Sequence, residues 1–149
     1  MKGLSMQYKM PIYSIPFRLI KEGKRKVDMR LLDEKRQKLK LNDIIEFIDS
    51  RTNESLFCKV KGLLVFNSFD ELIDTIPLEM LGTYKDKDEI KLRIRRLYAH
   101  QNVENYQVVG IFIELLDIDV LEKDRGSKYL SLGDELVRFN FLTGYHDER

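Results

Sequence analysis

The sequence predicts an α+β fold, a compact β-rich core with short helices set between its strands. Three observations carry this expectation. Lys26 to Leu32 alternates polar and apolar residues, the period of a strand with distinct faces. Tyr106 to Leu116 holds a near-continuous apolar run, as in a strand covered on both sides. Between the apolar runs lie short segments that open on proline or serine and stop at glycine, the punctuation of short helices. With 149 residues the chain is long enough to bury one substantial core, so a single domain over 1–149 is expected.

The elements follow in order. Tyr8 to Ser14 reads as a first strand, and Pro11 places it near an edge or a bend because proline brings no ladder donor. Pro16 suits the first turn of a helix whose apolar side is Phe17, Leu19 and Ile20. Gly23 is expected to end that helix, since glycine takes a positive φ at no steric cost. In the next strand Val27, Met29 and Leu31 fall on one face, and Lys26, Asp28 and Arg30 on the other. That period sets Asp28 beside Arg30 and directs both away from the core. Arg25 stands where the chain leaves the glycine turn, so the pattern leaves its direction open. Asp33 to Lys40 reads as a polar helical turn, Ile44 to Ile48 as a strand and Arg51 to Glu54 as a hairpin loop. Leu56 to Phe66 is a long strand in which Gly62 marks a bulge or a bend. Ser68 and Glu71 fit a capping box for a helix with Phe69, Leu72, Ile73 and Ile76 as its apolar stripe. Pro77 opens a short helix that Gly82 stops. Asp86 or Asp88 caps another, through about Tyr98, with Ile90, Ile94 and Leu97 inward. Beyond Asp119 the pattern weakens: Leu136 to Leu142 reads as one more strand or as a helix docked on the body, with the alternation of Val137, Phe139 and Phe141 favouring the strand, and Tyr145 to Arg149 is expected to fray.

Composition bounds the function. No apolar run approaches the length of a membrane span, and the opening residues MKGLSMQYKMP lack the apolar stretch of a secretion signal. A cytoplasmic protein with no membrane partner is expected. Cys58 is the one cysteine, so no internal disulfide forms, and its setting among Leu56, Phe57 and Val60 reads as core. His100, His146 and Cys58 show none of the spacings of a metal site. Gly62 and Gly110 are isolated, so no phosphate-cradling loop is evident, and Ser14, Ser68 and Thr75 sit in no nucleophile motif. Neither a metal nor a cofactor is expected.

The net charge is only +1, so the molecule as a whole attracts nucleic acid weakly. The distribution is more telling. Between Arg18 and Lys40 stand Arg18, Lys21, Lys24, Arg25, Lys26, Arg30, Lys35, Arg36, Lys38 and Lys40, against Glu22, Asp28, Asp33 and Glu34. A second basic run, Lys91, Arg93, Arg95 and Arg96, reads first as a solvated helical face and second as a nucleic-acid surface. Acid gathers later, at Glu114, Asp117, Asp119, Glu122 and Asp124. Arg25 and Arg30 offer planar donor forks to a phosphate or a base edge, and Asp28 could accept from a base amino group or orient an arginine. Lys21, Lys35 and Arg36 would widen the positive rim, and Tyr13, Phe17 or Tyr98 could stack a base. The structural alternative is an Asp28–Arg30 ion pair on the sheet, with the aromatics in the core.

The block IKEGKRKVDMRLLDEKRQKLKLNDIIEF resembles the ASCH domain, a relative of the PUA fold with a G-x-K-x-x-E-x-R signature after a short helix. Gly23, Arg25, Asp28 and Arg30 stand at those positions. Gly23 and Arg30 match, while Arg25 and Asp28 keep the charge and change the reach. The DEKR turn, Asn42-Asp43 before a strand, the SFDELIDTIPLEMLG helices and the VVGIFIELLD strand are similar to bacterial members. The resemblance covers about 8–117 and leaves about 118–149 as a C-terminal extension. It implies a PUA-like small β-barrel with surrounding short helices, a cleft lined by the signature, and RNA or a nucleotide as ligand. A subgroup of the family hydrolyses acetylated cytidine with a lysine, a threonine and a glutamate; the lysine and threonine positions here are Arg25 and Asp28. Arginine does not give up its proton at useful pH, and aspartate does not easily copy a threonine hydroxyl nucleophile, so both departures count against the amidohydrolase activity.

The leading expectation is an RNA- or nucleotide-binding module that uses Lys21, Gly23, Arg25, Asp28, Arg30 and Arg36 in a basic cleft. A hydrolase of a nucleoside derivative or of RNA is the alternative, an amidohydrolase or a nuclease, with Asp28 as general base near Glu46 or Glu114. A third reading is a protein-interaction module whose C-terminal apolar segment docks a partner.

Overall fold

A computed structural model of the chain describes residues 7–101, 103–117 and 145–147. Its elements run β1 (Gln7–Ile12), α1 (Ser14–Lys21), β2 (Val27–Leu31), β3 (Ile44–Asp49), β4 (Ser55–Phe66), α2 (Phe69–Thr75), α3 (Leu78–Leu81), α4 (Lys87–Leu97), β5 (Val108–Leu115) and β6 (Tyr145–Asp147). The strands form one mixed sheet in the order β2-β5-β4-β3-β1-β6. β1 runs parallel to β3 and to β6, and the remaining pairs are antiparallel. The sheet curls into a half-barrel accompanied by helices, which bears out the expected α+β class. Among the described residues no helix is long and apolar enough to cross a membrane.

Two apolar clusters hold this arrangement. One fills the concave side of the curl, where Met10, Ile45, Phe47, Cys58, Val60 and Ile111 are buried against Phe17 and Ile20 of α1. The other lies between the convex face and the later helices, with Val27, Met29 and Leu31 packed on Leu72, Ile73, Leu81 and Ile90. Burial of a large aliphatic or aromatic side chain contributes about 1.5–3 kcal/mol, so both faces of the sheet matter to stability.

The strand pairing corrects one expectation about the site. Residues opposite each other in an antiparallel ladder share a face. Asp28 pairs with Ile111 and Arg30 with Val109, both members of the concave core. The polar face of β2 therefore points into the half-barrel and not away from the core. The alternation is present: Val27, Met29 and Leu31 lie on the other face. A period of two separates the faces but does not say whether the second is also covered.

Several boundaries differ from the sequence reading. β1 stops at Ile12, and Ser14 opens α1, where its hydroxyl donates to Asp49 Oδ1 at 2.7 Å. Pro11 lies past the stretch of β1 that β6 covers, so its missing donor takes nothing from that pairing. α1 ends as expected. Gly23 has φ +75°, its N–H donates to the Ile20 carbonyl at 3.0 Å, and the Lys24 N–H donates to the Leu19 carbonyl at 2.8 Å. These two bonds make a Schellman stop. Only Arg36–Lys38 of the expected polar turn is helical, as one 3-10 turn. The Gly62 bulge is present, since the β4–β5 register shifts between Val60 and Gly62.

Both predicted caps form, with one variation. Ser68 Oγ accepts from the Glu71 N–H, yet Glu71 Oε1 reaches past Ser68 to the N–H of Asn67 at 2.7 Å. Asp86 and Glu89 repeat this, with Glu89 Oε1 accepting from the Lys85 N–H at 2.7 Å. In α4, Ile90 is buried as expected, but Leu97 is 40% exposed and not inward. Tyr145 to Asp147, expected to fray, pairs with β1. The expected strand at Leu136 to Leu142 lies outside the described residues.

Candidate ligand-binding cleft

β1 and β2 are not neighbours in the sheet, and a cavity of about 560 Å³ opens between them. Most of its walls come from Pro11 to Tyr13 at the end of β1, Asp28 to Leu31 of β2, Asp33 to Arg36 in the turn that follows, and Ile94, Leu97 and Tyr98 at the end of α4; Pro16, Arg25, Gln101 and Tyr106 complete them. The Schellman stop at Gly23 turns the chain from α1 toward β2, and the Lys26 N–H then donates to the Met80 carbonyl at 2.8 Å. That bond fixes Arg25, one residue earlier, against α3.

Asp28 organises the polar wall. It is 1% exposed and accepts from two arginines: Oδ1 from Arg25 Nη2 at 3.2 Å and Oδ2 from Arg30 Nε at 2.7 Å. Burial alone would raise the Asp28 pKa. The charges of Arg30 and Arg25 and their hydrogen bonds outweigh it and hold the carboxyl below its ordinary range. Asp28 is thus a fixed anion, not a group poised to take a proton near neutrality. Arg25 is 7% exposed, and its Nη1 donates to the Leu81 carbonyl at 3.3 Å and to the Tyr84 hydroxyl at 3.5 Å. Among the described residues its Nε is buried without a partner. The Arg30 guanidinium lies 5.8 Å from the centre of the Phe47 ring, within cation–π reach.

The other predicted residues divide. Arg36 lines the cavity, and Asp33 holds it by two contacts, from the Arg36 N–H at 3.0 Å and from Nη1 at 2.7 Å. Lys35 lines it as well. Lys21 and Gly23 do not: Lys21 pairs with Glu54 at the surface, and Gly23 acts on the backbone. Of the aromatics, Tyr13 and Tyr98 line the cavity, while Phe17 is buried in the concave core. Tyr98 stacks on Phe69 with ring centres 4.9 Å apart, and burial pushes its hydroxyl pKa up. Glu46 accepts from Ser55 and Glu114 pairs with Lys61, and neither lines the cavity. The sequence reading missed Tyr106, which adds a further aromatic wall, and Tyr84, which holds Arg25. Among the described residues no group of His, Cys, Asp and Glu is placed to hold a metal.

Cys58 is buried in the concave core, as its apolar neighbours suggested. Burial and then the negative charge of Asp28 push its thiol pKa up to about 12.

No family model and no curated protein matches the chain. Solved structures do. ZmASCH from Zymomonas mobilis, in one mutant form, superposes with a TM-score of 0.53 at 11% identity, over 83% of this chain and 82% of that one. EF3133 from Enterococcus faecalis superposes with a TM-score of 0.51 at 11% identity, over 78% of this chain and 84% of that one. The half-barrel with its helices is therefore the fold of the ASCH domains, and the resemblance read from the signature holds at that level. Sequence likeness goes further with two other proteins. Hypothetical protein PH0355 is 35% identical with a TM-score of 0.66, over 74% of this chain and 100% of that one. Protein PF0455 from Pyrococcus furiosus is 34% identical with a TM-score of 0.60, over 75% of this chain and 99% of that one. The chain belongs to the same family as PH0355 and PF0455.

Proposed function

We propose that the chain is a cytoplasmic module that binds RNA or a nucleotide in the cleft between β1 and β2. The Arg25–Asp28–Arg30 cluster is the observation that supports this most. A buried carboxylate that grips two guanidiniums fixes their planes in advance, so less side-chain freedom is lost when a ligand arrives. The cavity, at about 560 Å³, falls within the ~300–1,000 Å³ of small-ligand sites. Tyr13, Tyr98 and Tyr106 give it aromatic surface on which an unpaired base can stack. Arg25, Arg30, Lys35 and Arg36 share the walls with Asp28, Asp33 and Glu34. Recognition there works through directed donors and acceptors more than through a bulk positive field.

Asp28 takes the role of orienting the arginines. Both of its oxygens accept hydrogen bonds from them, and its lowered pKa makes it a weak base, which counts against the hydrolase reading. The binding unit spans about 8–117, with about 118–149 as an extension to it.

Arg30→Gln should weaken binding of a labelled single-stranded RNA at least about tenfold, the worth of one charge-assisted hydrogen bond. Fluorescence anisotropy reads the affinity, and a thermal melt of the same sample checks the fold. Affinity within twofold of the parent would remove Arg30 from the site.

A further inference from the structure

The cleft does not end at Arg25. A second cavity, of about 580 Å³, adjoins the first and shares Tyr13, Pro16, Arg25, Met29, Ile94 and Leu97 with it. We infer that this second chamber holds a backbone phosphate of a neighbouring nucleotide, so that the ligand is a stretch of single-stranded RNA and not one nucleotide. The inference rests on the RNA-binding reading of the first chamber.

The two chambers differ in charge. Three carboxylates stand in the walls of the first, Asp28, Asp33 and Glu34. Among the described residues the second has none, while Arg25, Arg51, Arg93 and Arg96 all line it. Arg93 pairs with Glu89 and lies 5.9 Å from the centre of the Tyr84 ring. Arg51 and Arg96 have no side-chain ion-pair partner among the described residues. Asp49, close in sequence to Arg51, has Oδ1 engaged by the Ser14 hydroxyl and by the Arg51 N–H. Those contacts fix the β3–β4 turn beside the start of α1, and with it the place from which the Arg51 side chain leaves.

The remaining walls are apolar, from Ile15, Pro16, Ile90, Ile94 and Leu97. Apolar walls exclude water and strengthen the pull of a guanidinium on an anion. A base needs polar partners at its edge, which the first chamber supplies. A phosphate needs cations that no carboxylate already engages; in the second chamber Arg51 and Arg96 supply them, while Arg25 and Arg93 stay paired with Asp28 and Glu89. Arg25 lines both and marks where one nucleotide passes to the next.

The test uses a 5′-labelled RNA decamer without self-pairing, titrated at several salt concentrations. Arg51→Gln/Arg96→Gln removes two exposed cations that belong to neither core cluster and are not among the arginines that Asp28 holds. The double variant should bind about tenfold more weakly, and its slope of log affinity against log salt should be shallower by about 0.7, the contribution of one single-strand phosphate contact. Lys85→Gln/Arg95→Gln, which alters two exposed cations outside both chambers, should leave the slope unchanged. If the RNA binds in an Arg30-dependent way but the slope is the same without Arg51 and Arg96, the second chamber is overturned and the first stands. An equal effect from the control pair overturns it too. Failure of the parent protein to bind the decamer at low salt overturns the second chamber and the RNA-binding reading of the first, and leaves a single nucleotide as the ligand of the first.

Discussion

Asp28→Asn is expected to destabilise the fold by about 3–5 kcal/mol, the usual result of breaking a buried ion pair by removing one partner. The substitution keeps the size of the side chain and removes its charge. Arg25 and Arg30, both nearly buried, are then left facing each other with no anion between them. Urea or thermal unfolding measures the loss, and a value under about 1 kcal/mol would mean that water screens the cluster in solution. The effect has a pH signature. The Asp28 pKa is held below its ordinary value of about 3.8, so its stabilisation is whole above that pH. It is lost as pH falls through the lower folded-state value. The gap between parent and variant should stay constant near neutrality and shrink in strong acid.

Gly82→Ala should also have a large effect, and it reaches the site through the backbone. Gly82 has φ 145° and ψ −174°, a region open essentially to glycine alone, and forcing another residue there costs about 1–3 kcal/mol. A Cβ would also fall 2.7 Å from Tyr84 Cε2 and 2.8 Å from Leu19 Cδ1, so both side chains must move. Overpacking of that kind adds about 1–3 kcal/mol. Leu81, the preceding residue, and Tyr84 both accept from Arg25. The variant should therefore melt earlier and also bind RNA more weakly than its remaining folded fraction accounts for. A melting temperature equal to that of the parent would show that the turn relaxes without strain.

These two residues show what the sequence could and could not convey. The signals at Pro16, Gly23, Ser68 and Asp86 act within a few residues, so the helices they bound were legible. The bulge at Gly62 was legible for the same reason. The signature placed Arg25, Asp28 and Arg30 together because they lie within six positions of one another. Their burial was not legible, because it depends on how far the sheet curls and on what covers its concave face. The partners of Arg25 lie 56 and 59 residues further on, at Leu81 and Tyr84, and no local pattern joins them to it. The second chamber is harder still to foresee. Besides Arg25, its cations come from a hairpin turn and from the last turns of α4, and in sequence the latter look like any solvated helical face.

The setting of Cys58 has one more consequence. A thiol reacts with alkylating reagents and oxidants as its thiolate, and one pushed up to about 12 holds almost none of that form at neutral pH. With no other cysteine in the chain, the native protein should be silent toward such reagents. Each labelling event then records an excursion in which the half-barrel opens, and the rate of modification becomes a clock for that opening.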